Sequence, residues 1–165
     1  MELISSDTNV WIDFSVINKL ELPFLLPYTY LMSEDAIEKE LCSPGGLKEN
    51  LIKLGLKKAY MTIEEFSLAD IYSSQYIQLS VIDSIALAIA KQRNIRLLTG
   101  DMALRKADHN EKVEVFGTIG ILDMLLKQEY ITLTDFKDCI SRLKELNGKE
   151  VRLPSKVLEE RLKIE

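Results

Sequence analysis

The fold is decided by one stretch of the chain, residues 80–101, which reads SVIDSIALAIAKQRNIRLLTGD. Its first four residues, Ser80 to Asp83, resemble a helix-capping box. The segment that follows is almost entirely small or apolar, which predicts a helix that is buried on most sides. A second apolar run, residues 95–99, predicts a strand that ends at Gly100-Asp101. The stretch therefore predicts a helix followed directly by a strand.

The same alternation of strands and helices extends over the rest of the chain. Strands are predicted at residues 2–6, 28–32, 59–61, 95–99 and 113–116, and helical segments separate them. Alternating strands and helices form a parallel sheet with helices on both faces. Helices at 133–146 and 154–164 are predicted to follow the last strand. The sequence thus predicts an α/β fold with a central parallel sheet of about five strands.

The bulk properties fit one globular domain that acts inside the cell. A chain of 165 residues that is 47% hydrophobic can bury a core without disulfides or structural metals. Its net charge of −5 argues against a protein that coats nucleic acid through charge alone, although bound cations can offset acidic charge locally. We find no apolar run long enough to cross a bilayer and no basic leader at the N-terminus. We therefore expect no membrane association, a cytoplasmic location and two reduced cysteines.

Acidic side chains are predicted to gather at one end of the sheet. Asp7 and Asp101 each follow a predicted strand directly, and ligands of open α/β sheets bind beyond the carboxyl ends of the strands. Asp83 lies in the first turn of the buried helix, which points to the same end. Each acid also has a purely structural interpretation, because Asp7 and Asp101 can cap helices and Asp83 can complete its capping box.

Carboxylates that are brought together repel one another, and a divalent cation removes that cost. Ligands that are all oxygen suit Mg²⁺ or Mn²⁺ better than Zn²⁺. Such ions promote hydrolysis of phosphodiesters by activating water and by stabilising charge on the attacking and leaving oxygens. A cluster of this kind therefore indicates a metal-dependent hydrolase.

Four motifs of the chain, in order, resemble those of the PIN-domain nucleases. They cover most of the sequence and read DTNVWID at residues 7–13, AIEKEL at 36–41, DSIALAIA at 83–90 and LLTGD at 97–101. The resemblance implies a three-layer α/β/α sandwich and a Mg²⁺- or Mn²⁺-dependent endoribonuclease. The downstream sequence looks like a subgroup with a C-terminal extension, which divides the chain into a PIN-like region, 1–130, and a helical extension, 131–165, packed on the same domain.

The resemblance also assigns roles to residues and partners to the protein. It implies catalytic residues Asp7, Glu40, Asp83 and Asp101, of which the three aspartates bind metal. Asn9 and Thr99 are predicted to fix the carboxylates, although Asn9 can equally serve the turn after the strand. Glu38 is the rival of Glu40, because the two differ by about 200° around one helix. Many bacterial members are toxins of VapBC-type pairs, so RNA, a small antitoxin and a second copy of the chain are the expected partners.

Several alternatives remain beside this prediction. Arg105 and Lys106 follow Asp101 and can contact substrate phosphate, or they can be ordinary solvated charges. The chain can also be a non-catalytic PIN-like module that binds RNA or protein. A phosphatase with a nucleophilic Asp7 would have a second acid two residues later, where this chain has Asn9. A phosphorylated receiver domain would need an acid pair and a late lysine that we do not find.

Overall fold

A computed structural model describes residues 1–165 and contains one five-stranded sheet. The strands are β1 (Glu2–Ser6), β2 (Tyr28–Ser33), β3 (Lys57–Ala59), β4 (Arg96–Leu98) and β5 (Val115–Phe116). They are all parallel and lie in the order β3-β2-β1-β4-β5. The predicted parallel sheet of about five strands is therefore confirmed.

Nine α-helices and one short 3₁₀ helix, Leu22–Leu25, connect and follow the strands. They are α1 (Thr8–Val16), α2 (Glu34–Glu40), α3 (Leu47–Leu54), α4 (Ile63–Gln75), α5 (Val81–Arg93), α6 (Met102–Asn110), α7 (Thr118–Lys127), α8 (Leu133–Leu146) and α9 (Ser155–Leu162). None of them combines the length and apolarity that a membrane-spanning helix needs.

The sheet separates two hydrophobic cores, as the alternation of side chains along a strand requires. On one face, Tyr30 of β2 and Leu98 of β4 pack with side chains from α1, α2, α3, α7, α8 and α9. On the other face, Leu31 and Leu97 pack with α4, α5 and α6. The molecule is therefore the three-layer α/β/α sandwich that the family resemblance implied.

The C-terminal helices belong to the larger of these cores. Phe136 and Ile140 of α8 and Leu158 of α9 are fully buried, in the same apolar cluster as Trp11 of α1. Burying side chains of this size removes a large apolar area from water, so the packing fixes α8 and α9 on the sandwich. A boundary at residue 130 stays a prediction, because no break in the core accompanies it.

The third strand lies two residues earlier than predicted. We expected residues 59–61, and the structure pairs Lys57–Ala59 with the end of β2. Lysine is depleted in strands in general, but β3 is an edge strand, where lysine is common. Lys58 also lies near Glu34 and Glu38 of α2, with nitrogen–oxygen distances of 3.8 and 3.5 Å.

The order of the strands changes at β1, where the chain stops adding strands on one side of the sheet and starts adding them on the other. From β1 the chain moves to one side to form β2 and β3, and it then crosses to the other side of β1 to form β4 and β5. The crevice beyond the carboxyl ends of β1 and β4 is the usual ligand position of such sheets. Asp7 and Asp101 both lie at this crevice.

Candidate functional site

Asp7 forms the centre of the acidic cluster. It caps the N-terminus of α1, and its Oδ1 accepts a hydrogen bond of 2.8 Å from the backbone N–H of Thr8. Its Oδ2 accepts a hydrogen bond of 2.9 Å from the Thr99 hydroxyl. The residue is buried, with 4% of its surface exposed. Its carboxylate is therefore held in one orientation by two donors, and its own N–H bonds to the carbonyl of Leu98.

Thr99 connects Asp7 to Asp101. While its hydroxyl donates to Asp7, the same oxygen accepts a hydrogen bond of 3.1 Å from the backbone N–H of Asp101. Asp101 in turn caps α6, and its Oδ1 accepts a hydrogen bond of 2.8 Å from the N–H of Leu104. Thr99 thus contacts the carboxylate of Asp7 and the backbone of Asp101, at the ends of both central strands. Its predicted role in fixing the carboxylates stays a prediction.

Asp83 is held by the capping box that the sequence indicated. Its Oδ2 accepts a hydrogen bond of 3.1 Å from the N–H of Ser80, while its own N–H donates to the Ser80 hydroxyl at 3.0 Å. Its other oxygen, Oδ1, has no such bond. The side chain is half-buried and lies at the positive end of α5, which favours a negative charge there.

Glu40, rather than Glu38, turns toward the cluster. The hydroxyl of Thr8 donates to Glu40 Oε1 at 3.0 Å, which joins the last residue of α2 to the first residue of α1. Glu38 is exposed and pairs with Lys48 at 2.7 Å. The choice between the two, which the sequence left open, is therefore decided by the geometry in favour of Glu40.

The four acids interact electrostatically. Burial, followed by repulsion from Asp83, raises the pKa of Asp7 to about 7, although the bonds from Thr99 and Thr8 oppose the shift and Glu40 adds to it. Burial also raises the pKa of Glu40, and Asp83 contributes. The pKa of Asp83 is raised by burial and by repulsion from Asp101, against the capping bonds of Ser80. The cluster therefore carries excess negative charge in a partly desolvated place.

This donor set fits a hard divalent cation in its chemistry, but the acids are not in chelating positions. No three Asp, Glu, His or Cys side chains lie close enough together to hold an ion. Each of the four acids uses a carboxylate oxygen in a hydrogen bond, and Asp83, Asp101 and Glu40 each keep one oxygen without such a bond. Cation binding by this all-oxygen set therefore requires the carboxylates to move closer to one another.

The remaining predicted residues divide into two groups. Arg105 lies beside the cluster, where its guanidinium donates to the Thr99 carbonyl at 3.1 Å. Lys106 is exposed on the opposite side of α6, near Tyr76 and Asn110. Asn9 is exposed and its side chain makes no hydrogen bond to any of the acids, so neither of its suggested roles has support from a contact.

One acid near the cluster was missed by the sequence analysis. Asp108 of α6 is fully buried, and neither of its carboxylate oxygens has a hydrogen-bond partner. Burial raises its pKa to about 8; Arg105 opposes the shift, and repulsion from Asp7, Asp101 and Asp83 adds to it. A spacing of seven residues from Asp101 places it on the same face of the helix, two turns later. That spacing was the available signal.

Comparisons with known proteins give one match. The family model DUF3368, described as a PIN domain, matches residues 3–164. The match therefore extends over the strands, the four acidic motifs and the C-terminal helices. Searches of curated proteins and of solved structures found no match.

Proposed function

Because the chain belongs to the PIN-domain family, whose members are generally nucleases, we propose that it is a Mg²⁺- or Mn²⁺-dependent endoribonuclease. The observation that carries the proposal is the mutual repulsion of four carboxylates at the point where the strand order reverses. A cluster of this kind is costly to fold without a cation, and such costs are usually found at functional sites.

The proposed roles follow from the hydrogen bonds of each acid. Asp7, Asp83 and Asp101 would hold the ion, which when bound lowers the pKa of water and stabilises charge on phosphate oxygens. Thr99 orients Asp7 and the backbone of Asp101 at once, so it sets the relative position of two ligands. Glu40 keeps a free oxygen and a raised pKa, which suits a group that takes a proton from the attacking water.

RNA as the substrate, and a place in a toxin–antitoxin pair, are further parts of this proposal. They rest on the family resemblance alone, as do the small antitoxin partner and the homodimer. The cytoplasmic location rests on the sequence, which has no apolar run long enough to cross a bilayer and no basic leader. Sequencing the neighbouring open reading frames for a short antitoxin-like gene tests the toxin role without purified protein.

A non-catalytic PIN-like binding module is a second candidate, and a specific observation favours it. Asp7, Asp83 and Asp101 each cap a helix or complete a capping box, and each cap contributes roughly 1 kcal/mol to stability. Capping by itself is therefore a physical reason to retain these three acids. Capping does not explain Glu40, which lies at the last residue of its helix.

Cleavage of labelled single-stranded RNA tests the proposal. We expect the full chain to cut RNA in Mn²⁺ and not in EDTA. Replacing Asp7→Asn or Asp101→Asn should lower the rate by roughly 100-fold or more, because a metal contributes several kcal/mol to such reactions. The asparagine side chain keeps an oxygen that can accept the capping hydrogen bond, so the fold should survive.

Asp35→Asn is the matched control, because Asp35 is an exposed acid in the first turn of α2 and lies outside the cluster. It should cleave RNA at the normal rate. Full activity in both Asp7→Asn and Asp101→Asn would overturn the proposed site. No cleavage of RNA together with no stabilisation by Mn²⁺ would favour the binding module, because a cation that binds only the native state must raise its stability.

A further inference from the structure

A cavity of about 800 Å³ lies beside the acidic cluster, between the start of α7 and the C-terminal segment of the chain. Its walls come from parts that are distant in sequence: the N-terminus of α6, residues 116–120, the loop 147–155, and α9. Gly100 and Met102, which flank Asp101 on both sides, line its near end. The cavity therefore begins where the acidic cluster ends.

The charge of this cavity is opposite to that of the chain as a whole. Three arginines and one carboxylate line it, in a protein whose net charge is −5. The carboxylate, Asp123, is already paired with Arg161 through two hydrogen bonds of 2.8 and 3.0 Å. Arg105 and Arg152 form no ion pair, so both guanidinium groups offer positive charge to a ligand, although that of Arg105 also interacts with the nearby carboxyl of Asp108.

Arg105 is held in place at the mouth of the cavity. Besides its bond to the Thr99 carbonyl, its guanidinium crosses the backbone at Gly117 so closely that a Cβ on that residue would lie 2.5 Å from Nη2. Gly117 thus provides the space that the arginine occupies. The hydroxyl of Thr99 also donates a hydrogen bond to Asp7, so Thr99 is the residue that connects the Arg105 guanidinium to the centre of the acidic cluster.

The inner wall adds backbone donors and apolar surface. The first turn of α7 lines the cavity, and Gly117 provides no side chain to cap its N–H groups. Phe116 and Leu153 form part of the apolar surface. Sites for single-stranded nucleic acid combine positive groups that contact phosphate with apolar or aromatic surfaces that contact bases.

We propose that this cavity binds a nucleotide of the single-stranded substrate next to the bond that is cut, with Arg105 and Arg152 contacting its phosphate. The inference rests on the proposed nuclease function, since it assigns a binding position to that substrate. It also gives the loop 147–155 and α9 a role in holding RNA.

Binding without cleavage provides the test. We would measure fluorescence anisotropy of a labelled oligouridine of about 12 nucleotides, in EDTA, over a range of salt concentrations. Arg152 is exposed and makes no hydrogen bond, so Arg152→Gln should leave the fold intact. We expect it to weaken binding by about fivefold and to reduce the slope of log K against log salt by about 0.7, the value for one lost phosphate contact.

Lys156→Gln is the matched control, because Lys156 is an exposed cation four residues later that does not line the cavity. It should bind almost as tightly as the unaltered protein, and Arg152→Lys should restore the salt slope. Equal affinity of Arg152→Gln and Lys156→Gln for oligouridine would overturn the cavity assignment. The absence of any oligouridine binding by the unaltered protein would overturn it as well. If the unaltered protein cleaves RNA in Mn²⁺ but Arg152→Gln does not change RNA binding, the cavity assignment is refuted and the nuclease function is retained.

Discussion

A carboxylate is buried at the strand ends, Asp7, and another on the inner face of α6, Asp108, but only the first accepts hydrogen bonds. At the strand ends, Asp7 accepts hydrogen bonds on both oxygens, from Thr8 and Thr99. On α6, Asp108 is equally removed from solvent and accepts none. Both pKa values are raised, to about 7 for Asp7 and about 8 for Asp108. The hydrogen bonds keep the pKa of Asp7 lower than its burial alone would allow.

This difference in hydrogen bonding distinguishes Asp7, whose carboxylate is oriented by donors, from Asp108, which is buried without any. The carboxylate of Asp7 is held in one orientation by its two donors before any cation binds, and its proton is released near neutral pH. A carboxylate without donors stays protonated at neutral pH, because burial penalises its charged form. Under the proposed function, we therefore expect Asp7 to bind the metal and Asp108 to take no part in binding it.

The largest expected effect is the pH dependence of Mn²⁺ binding. Because Asp7 must lose its proton before it ligates a cation, the apparent affinity should rise about tenfold per pH unit below pH 7 and level off above it. Isothermal titration calorimetry between pH 5 and pH 8 measures this. An affinity that is constant over that range would mean that Asp7 is not a ligand.

The same comparison predicts a role for the Thr99 hydroxyl. Thr99→Val keeps the shape of the side chain but removes the donor to Asp7, so the pKa of Asp7 should rise further. We expect Mn²⁺ affinity at pH 7 to fall about tenfold, the usual effect of losing a group that orients a ligand. Thr29→Val, in β2 and outside the cluster, is the control and should bind Mn²⁺ normally. Unchanged affinity in Thr99→Val would show that the hydrogen bond does not prepare Asp7.

A third expected effect is on stability rather than on affinity, and it concerns the stability that the protein loses at high pH because Asp108 is buried. Between about pH 4 and pH 8 the folded protein keeps the Asp108 proton that the unfolded chain releases, so the free energy of unfolding falls as pH rises through this window. Asp108→Asn removes this loss. The variant should be more stable than the unaltered protein by roughly a few kcal/mol at pH 8 and by little at pH 4.

Urea denaturation at both pH values measures the difference. Asp13→Asn is a useful comparison, because Asp13 is also buried but its carboxylate accepts a hydrogen bond of 2.7 Å from Thr118. That variant should not gain stability at pH 8 to the same extent. A gain for Asp108→Asn that is the same at pH 4 and pH 8 would contradict the raised pKa.

Much of the fold and part of the site followed from local sequence patterns. The apolar runs before Asp7 and Asp101 predicted strands whose ends carry these acids, and the structure has both strands. The Ser80–Asp83 capping box was recognisable because its bonds join residues three apart. The edge strand β3 was misplaced because its pairing depends on partners in β2 and α2, which composition does not reveal.

Other features of the site depend on contacts between distant residues. The choice of Glu40 over Glu38 rests on a bond from Thr8, 32 positions earlier, and the unbonded state of Asp108 depends on what α6 packs against. The arginine-lined cavity joins residues 100–123 to residues 147–161. No periodicity within one segment contains this information.

The sequence by itself determined the alternation of strands and helices, the placement of acids at strand and helix ends, and the family, because these depend on hydrophobic period, capping and short motifs. Only the tertiary structure decided which carboxylates interact, which buried acid has hydrogen-bond donors, and where unpaired positive charge lies beside them. Burial and electrostatic interaction are properties of surroundings, and the surroundings of each residue are supplied by segments that are remote in the chain.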